Sequence, residues 1–121
     1  MEISKELLSE VLGYTPFKID KIKQVGGVGL TIILLNQDGT VRSYQNIYQL
    51  AYKCKEWAFK RKFDFEIIRI KHGKDYGKIF VRIHTIHTNR VNGKEFYPFE
   101  EEPEAIFTAC EWMLKEINGN K

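Results

Sequence analysis

Apolar residues recur at helical spacing in three parts of the chain. Near the start, Ser4 is positioned as an N-cap, and Gly13 follows the last apolar residue as a helix terminator. A second pattern begins at Asn46, with Gln49 three residues later as in a capping box. The third begins at Pro103, because proline is tolerated in the first turn of a helix. The stripes predicted to be buried are Leu7, Leu8, Val11 and Leu12, then Ile47, Leu50, Ala51, Cys54, Trp57 and Ala58, and finally Ile106, Ala109, Cys110, Met113, Leu114 and Ile117.

Strand patterns occupy the first interval between these helices. Residues 17–25 predict a weak strand, and residues 30–35 predict a strand of aliphatic composition. Asp38-Gly39 predicts a hairpin turn into a further strand over residues 40–44. The first helix is therefore followed by two or three strands.

Three antiparallel strands are predicted in the second interval. Residues 63–71 form the first of them, with a bulge in the middle that would keep two apolar sets on one face. Residues 78–88 form the second, and the turn Asn92-Gly93 leads into the third, over residues 95–99. A proline in this last strand cannot donate a ladder hydrogen bond, so the strand should end there or lie at a sheet edge.

The predicted order is α-β-β-(β)-α-β-β-β-α, an α+β fold with helices packed on one face of an antiparallel sheet in a single domain, 1–121. A content of 43% hydrophobic and 29% charged residues is typical of such a domain. The sequence contains no run of about 18 apolar residues, which a membrane span requires, and its start lacks the pattern of a secretory signal. We therefore expect a cytoplasmic protein without membrane contact, in which Cys54 and Cys110 are reduced core thiols.

The net charge of +3 is distributed unevenly along the chain. Residues 53–94 carry 12 basic and four acidic groups, a net of +8, whereas residues 95–117 carry seven acidic groups and one lysine, a net of −6. If the aliphatic residues of the central strands face the helices, alternation makes the other sheet face basic and partly aromatic. The candidate macromolecule-binding residues on that face are Arg69, Lys71, Phe80, Arg82 and His84. Such a surface suits phosphates or an acidic protein, unless the acidic C-terminal segment neutralises it within the fold.

Other motifs have structural explanations. The Gly-Gly-Val-Gly segment at residues 26–29 lacks the Lys-Ser/Thr ending of a phosphate loop and precedes a strand. His84 and His87 are three residues apart on a strand, so they point to opposite faces and cannot readily share a metal. The glutamates within residues 100–104 complement a helix dipole and do not form a catalytic pair across a cleft. We expect no enzymatic activity, no cofactor and no metal.

A second stripe on the middle helix contains Tyr48, Tyr52 and Phe59. Burial of these rings is the preferred interpretation, because they would widen the apolar face of the helix. The alternative is that they rim a partner surface.

The predicted order of a helix, three antiparallel strands and a helix over residues 46–117 resembles a double-stranded-RNA-binding domain. That family places lysines at the start of its last helix, in a pattern like Lys-Lys-x-Ala-Lys, to hold phosphates. The matching residues 101–105 are Glu-Glu-Pro-Glu-Ala in this chain. Because acidic groups repel the RNA backbone, the resemblance extends to topology and disfavours duplex RNA binding in that mode.

Three stretches resemble a family of small proteins of uncharacterised function from bacteriophages and prophages. They are Ile-Ser-Lys-Glu-Leu-Leu-Ser-Glu-Val-Leu-Gly at residues 3–13, Asn-Ile-Tyr-Gln-Leu-Ala-Tyr-Lys-Cys-Lys-Glu-Trp-Ala at 46–58, and Glu-Pro-Glu-Ala-Ile-Phe with Ala-Cys-Glu-Trp within 102–112. The resemblance implies a viral accessory protein that acts inside a bacterial host cell, and it implies no chemistry.

The leading hypothesis is therefore a noncatalytic accessory protein of phage or prophage type. It would bind a host or viral macromolecule, with a protein as the preferred partner and inhibition of a bacterial defence system as one role. The first alternative is nucleic-acid binding through the basic sheet face. The second is binding of a small ligand.

Overall fold

A computed structural model describes residues 3–20, 23–24, 30–85 and 94–119, and these form the predicted α+β fold. The described helices are α1 (Lys5–Leu12), α2 (Ile47–Lys60) and α3 (Glu102–Gly119). The described strands are β1 (Lys18–Ile19), β2 (Lys23–Gln24), β3 (Leu30–Leu35), β4 (Val41–Asn46), β5 (Phe63–Arg69), β6 (Ile79–Thr85) and β7 (Lys94–Phe99). The glycine segment 26–29, His87, the turn Asn92-Gly93 and the end of the strand predicted to reach residue 88 lie outside the described residues.

The helix boundaries follow the capping residues that the sequence predicts. Ser4 Oγ accepts a hydrogen bond from a backbone N–H of the first turn of α1 at 3.0 Å. Gly13 ends this helix in the left-handed conformation, with φ of 83°. At α2, Asn46 Oδ1 accepts from two backbone N–H groups at 2.9 and 3.3 Å. Each N-cap satisfies donors that have no acceptor within their own helix.

The first sheet is built around β3, which pairs antiparallel with β1, β2 and β4. Gly39, with φ of 86°, lies in the predicted turn between β3 and β4. The register of this hairpin shifts after Leu34: Ser43 opposes Leu34, and Val41 opposes Leu35. Arg42 is consequently the extra residue of a β-bulge.

The second sheet contains β5, β6 and β7 in that order, all antiparallel. Strands β5 and β6 pair without interruption from Phe63 to Arg69. The bulge predicted within residues 63–71 is therefore wrong. The register shift occurs in β7, where Phe96 opposes Val81 and Phe99 opposes Ile79. Pro98 lies within this shift on an edge strand, as predicted from its missing N–H.

One hydrophobic core joins all three helices to both sheets. Helix α2 packs on β5, α3 packs on β6 and β7, and the two helices contact each other. Helix α1 lies against both, and β3 and β4 contact α2. The predicted stripe of α2 is buried throughout. Both long helices therefore cover one face of the second sheet and leave its outer face available. Among the described residues, no helix combines the length and apolar character that crossing a membrane requires.

Candidate functional site

The register of the second sheet divides the predicted binding residues between its two faces. Along the outer face, the cross-strand pairs are Asp64 with His84, Glu66 with Arg82, and Ile68 with Phe80. Arg69 instead opposes the buried Ile79 and belongs to the alternation that faces the helices. The prediction that Arg69 and Arg82 share a face is therefore wrong. Without a bulge, Ile68 faces outward beside Phe80, and the next residue, Arg69, belongs to the opposite face.

Arg69 and Lys71 lie at the end of β5, near the loop that leads to β6. Arg69 Nη1 donates to the carbonyl oxygen of Gly77 at 2.7 Å, which ties the strand to this loop. Lys71 is exposed and follows the end of β5. The structure thus brings together Phe80, Arg82 and His84 on one strand, and it places Arg69 apart from them.

Arg82 is held between two carboxylates on the outer face. Its Nε donates to Glu95 Oε1 at 2.8 Å, and its Nη1 donates to Glu66 Oε2 at 3.2 Å. Its Cζ lies 5.7 Å from the ring centroid of Phe80. Because Glu66 and Glu95 belong to the two strands that flank β6, the sheet itself neutralises this guanidinium. A phosphate would have to displace both carboxylates, so this geometry disfavours a nucleic-acid surface here.

Among the described residues, two ion pairs connect the basic and acidic segments of the chain. Arg82 contacts Glu95, and Lys78 Nζ lies 3.4 Å from Glu100 Oε1. These pairs support the alternative in which the acidic C-terminal segment neutralises part of the basic one. All four side chains are partly exposed, so each pair contributes little to stability.

His84 lies beside Arg82 on the outer face and is half-buried. Its Nε2 is shielded from solvent and lies 3.1 Å from Glu66 Oε1, in a geometry that does not form a hydrogen bond. His84 therefore adds an imidazole beside the carboxylate that already accepts a hydrogen bond from Arg82. Within the described parts of the chain, no group of three or more His, Cys, Asp or Glu side chains is arranged to hold a metal ion.

An exposed aromatic stripe runs along α2. Tyr48, Tyr52 and Phe59 are 55%, 63% and 58% exposed, so the prediction that they are buried is wrong. Their spacing of four and seven residues places them on one line of the helix together with Lys55. We call these four residues the α2 stripe. It spans roughly 16 Å at about 1.5 Å per residue.

The α2 stripe stays exposed because another face of the helix already fills the core. Six residues of α2 are buried. Helix spacing alone could have identified the stripe, since residues 48, 52, 55 and 59 form a line that includes a lysine. A lysine is seldom fully buried without a partner, so Lys55 was the signal that this line faces water.

A groove of about 210 Å³ separates the α2 stripe from the first turn of α3. Its lining residues are Tyr48, Ala51, Tyr52, Lys55, Glu102, Pro103 and Ile106. Pro103 and Ile106 are buried and give the groove an apolar base. Lys55 and Glu102 supply one charge of each sign at its rim.

Cys54 and Cys110 lie where α2 packs against α3, and both are free and buried, as predicted. The Sγ atom of Cys110 donates to the carbonyl oxygen of Cys54 at 3.7 Å. A hydrogen bond with the Cys54 side chain, together with burial, raises the pKa of the Cys110 thiol. Because the thiolate is the reactive form, this arrangement is that of a packing residue and not of a nucleophile.

No protein-family model, curated protein or solved structure matches this chain. Among the described residues, the α2 stripe contributes three of the exposed large hydrophobic side chains.

Proposed function

We propose that this protein is a noncatalytic binding protein that recognises another protein through the α2 stripe. The observation that carries the proposal is the exposure of Tyr48, Tyr52 and Phe59 on one line of a helix. Aromatic side chains are enriched in protein interfaces and often dominate their energetics, because they bury a large area when a partner excludes water. A line of exposed rings on one side of a helix therefore favours an interface over a solvated surface.

Charges beside the stripe define the chemistry of the partner. Helix α2 exposes Lys53, Glu56 and Lys60, and Lys55 of the stripe is half-buried, so the helix carries a net positive charge on this side. A partner with an apolar centre and an acidic rim would complement this helix, and such complementarity sets specificity and association rate. The groove beside Pro103 and Ile106 offers a place for one apolar side chain of that partner.

The sequence resemblance to bacteriophage and prophage proteins supports a role inside the bacterial cytoplasm. The partner would then be a host or viral protein, and binding to a defence protein would inhibit it. This proposal keeps protein as the partner class, because the carboxylates around Arg82 disfavour the alternative of nucleic acid on the outer sheet face.

Site-specific photo-crosslinking tests this proposal. A photoreactive amino acid at position 55 is expected to capture the same protein from a lysate of phage-infected bacteria before and after nuclease treatment. Replacing Tyr48, Tyr52 and Phe59 together by Ser should abolish capture. The matched control is Tyr76→Ser, because Tyr76 is 73% exposed in the loop between β5 and β6 and lies outside the stripe.

The captured protein is then purified, and its affinity is measured by calorimetry. The triple variant should bind at least tenfold more weakly than the Tyr76→Ser control, since aromatic anchors each contribute about 1 kcal/mol or more to an interface. Equal affinity of the two variants would contradict the proposal. Loss of the captured species on nuclease treatment would contradict it as well and assign the stripe to nucleic acid.

A further inference from the structure

A second cleft, of about 450 Å³, lies between the start of α1, the segment that follows this helix and the β3–β4 hairpin. We call it the α1–hairpin cleft. Its lining residues are Lys5, Thr15, Pro16, Phe17, Asn36, Gln37 and Arg42. Two of these are cationic, three have neutral polar side chains, and none of the seven is acidic. The volume falls in the range of small-molecule sites, roughly 300–1,000 Å³.

The fold fixes the position of Arg42 from two sides. Arg42 is the extra residue of the bulge in β4, and bulges redirect side chains away from the regular alternation. Its Cζ lies 3.9 Å from the ring centroid of Tyr14. The Tyr14 hydroxyl in turn shares a hydrogen bond of 2.6 Å with Ser43 Oγ. The guanidinium thus lies over an anchored ring, and Arg42 lines the cleft.

Lys5 supplies the second cation from the first turn of α1. Its Nζ lies 5.6 Å from the ring centroid of Phe17, which is 55% exposed. Within residues 3–20, 23–24, 30–85 and 94–119, neither Lys5 nor Arg42 forms an ion pair with a carboxylate. The acidic residue of the hairpin, Asp38, accepts hydrogen bonds from Thr40 and does not line the cleft.

This cleft therefore differs in electrostatics from the outer face of the second sheet. There, two carboxylates neutralise Arg82. Here, neither Arg42 nor Lys5 pairs with a carboxylate of the described residues, and the side-chain amide of Gln37 can donate hydrogen bonds. Arginine recognises phosphate oxygens in a bidentate manner, and an exposed phenyl ring such as Phe17 offers a contact for a planar ring.

We propose that the α1–hairpin cleft binds a phosphate monoester that carries a planar ring, a ligand of mononucleotide size. Arg42 and Lys5 contact the phosphate, and Phe17 contacts the ring. The cleft shares no residue with the α2 stripe, so this proposal stands or falls separately from the proposed function. A free nucleotide and the 5′-terminal nucleotide of a strand present the same chemistry, and the experiment distinguishes these two sources.

The test is a titration of the ¹⁵N-labelled full chain at low salt, followed by NMR and calorimetry. The probes are inorganic phosphate, adenosine, adenosine 5′-monophosphate and a 5′-phosphorylated tetradeoxyadenylate. The monophosphate is expected to bind more tightly than phosphate or adenosine and to shift the backbone amides of Thr15, Phe17 and Arg42. Tighter binding of the strand than of the monophosphate would assign the ligand to a nucleic-acid end, whereas equal or weaker binding would assign it to a free nucleotide.

Variants then assign the contacts. Arg42→Gln should weaken binding of the monophosphate at least about tenfold, because a charge-assisted contact is lost. Phe17→Ala should remove the advantage of the monophosphate over phosphate. The matched control is Lys53→Gln on α2, which removes one exposed lysine away from the cleft and should leave affinity unchanged.

Thermal unfolding of each variant separates binding from folding, because Arg42→Gln also removes the stack on Tyr14. If that variant does not fold, Lys5→Gln and Arg42→Lys decide the matter, and both should weaken binding of the monophosphate. The proposal is overturned if no probe shifts the cleft amides, if adenosine binds as well as its monophosphate, or if Lys53→Gln causes the same loss as the cleft variants.

Discussion

Truncation of Trp57 perturbs the core at the contact between α1 and α2. Its side chain is only 5% exposed, and its Nε1 donates to Glu10 Oε2 at 3.3 Å. Arg61 Nη2 donates to the same carboxylate oxygen at 2.7 Å, and its Cζ lies 4.8 Å from the Trp57 ring centroid. Replacing Trp57 by Ala therefore removes a large buried surface and one link between the two helices.

The expected loss of stability follows from the buried area. An aromatic side chain buries roughly 150–250 Å², which at about 25 cal/mol per Å² corresponds to roughly 4–6 kcal/mol. This is an upper value, because the denatured chain already buries part of the surface and Ala retains its Cβ. The hydrogen bond to Glu10 adds at most about 1 kcal/mol, since that carboxylate is 41% exposed. We expect Trp57→Ala to lose about 3–5 kcal/mol, in line with comparable truncations.

Urea unfolding followed by circular dichroism measures this loss. A reduction of about 3–5 kcal/mol is a large part of a domain's total of about 5–15 kcal/mol and should lower Tm by roughly 10–20 °C. Trp57→Phe is the control: it keeps most of the buried area and loses the Nε1 donor, so it should cost clearly less. A loss below about 1 kcal/mol for Trp57→Ala would refute the core position of this ring. Equal losses for the two variants would assign the effect to the hydrogen bond.

Three further predictions concern the thiols and two charged sites. Alkylating reagents should label Cys54 and Cys110 slowly in the native protein and rapidly after denaturation, because both thiols are buried and a hydrogen bond together with burial raises the pKa of Cys110. Fast labelling of the native protein would show that the α2–α3 interface opens. Arg82→Gln should lower the free energy of unfolding by about 1 kcal/mol, because two partly exposed ion pairs are lost. The loss should be smaller in about 1 M salt, which screens these pairs. An unchanged free energy of unfolding in urea would show that the pairs contribute nothing. The side-chain and backbone hydrogen bonds from Thr40 hold the pKa of Asp38 below its usual 3.8, so the stabilisation of the folded state by these bonds is present above pH 3.8 and is lost as the pH falls through the lower folded pKa. Thr40→Val should raise the pKa of Asp38 in an NMR titration, and an unchanged pKa would contradict this cause.

The sequence predicts features that depend on neighbours along the chain. Ser4 and Asn46 satisfy the first N–H groups of their helices, so a short polar side chain before an apolar stripe is enough to locate each start. Gly39 adopts a positive φ in the turn that the dipeptide Asp38-Gly39 predicts. Strand β3 has the predicted bounds because its aliphatic run ends where this turn begins.

Features that depend on pairing between strands are the ones that the sequence misplaces. The adjacent isoleucines at 67 and 68 favour a bulge if both must be buried, yet Ile68 faces outward opposite Phe80. The register instead shifts at Arg42 in β4 and beside Pro98 in β7. The missing N–H of Pro98 is a sequence signal for the second shift, whereas nothing in the local composition requires the first. An outward aliphatic residue costs little when a cross-strand neighbour such as Phe80 covers part of it, so burial of every isoleucine is too strict a rule.

The charge of a surface is hard to predict from the sequence, because the net charge of a segment does not show which charged groups pair across strands. The basic segment 53–94 has a net charge of +8, yet its central Arg82 lies between Glu66 and Glu95. The first 52 residues are neutral in sum, yet they contain Lys5 and Arg42, which line a cleft whose described lining residues include no acid. Register sets this difference, since the regular ladder of β6 places carboxylates on both sides of Arg82 while the bulge in β4 removes Arg42 from the alternation. Arg82 should therefore contribute to the free energy of folding, and Arg42 to the free energy of binding an anion.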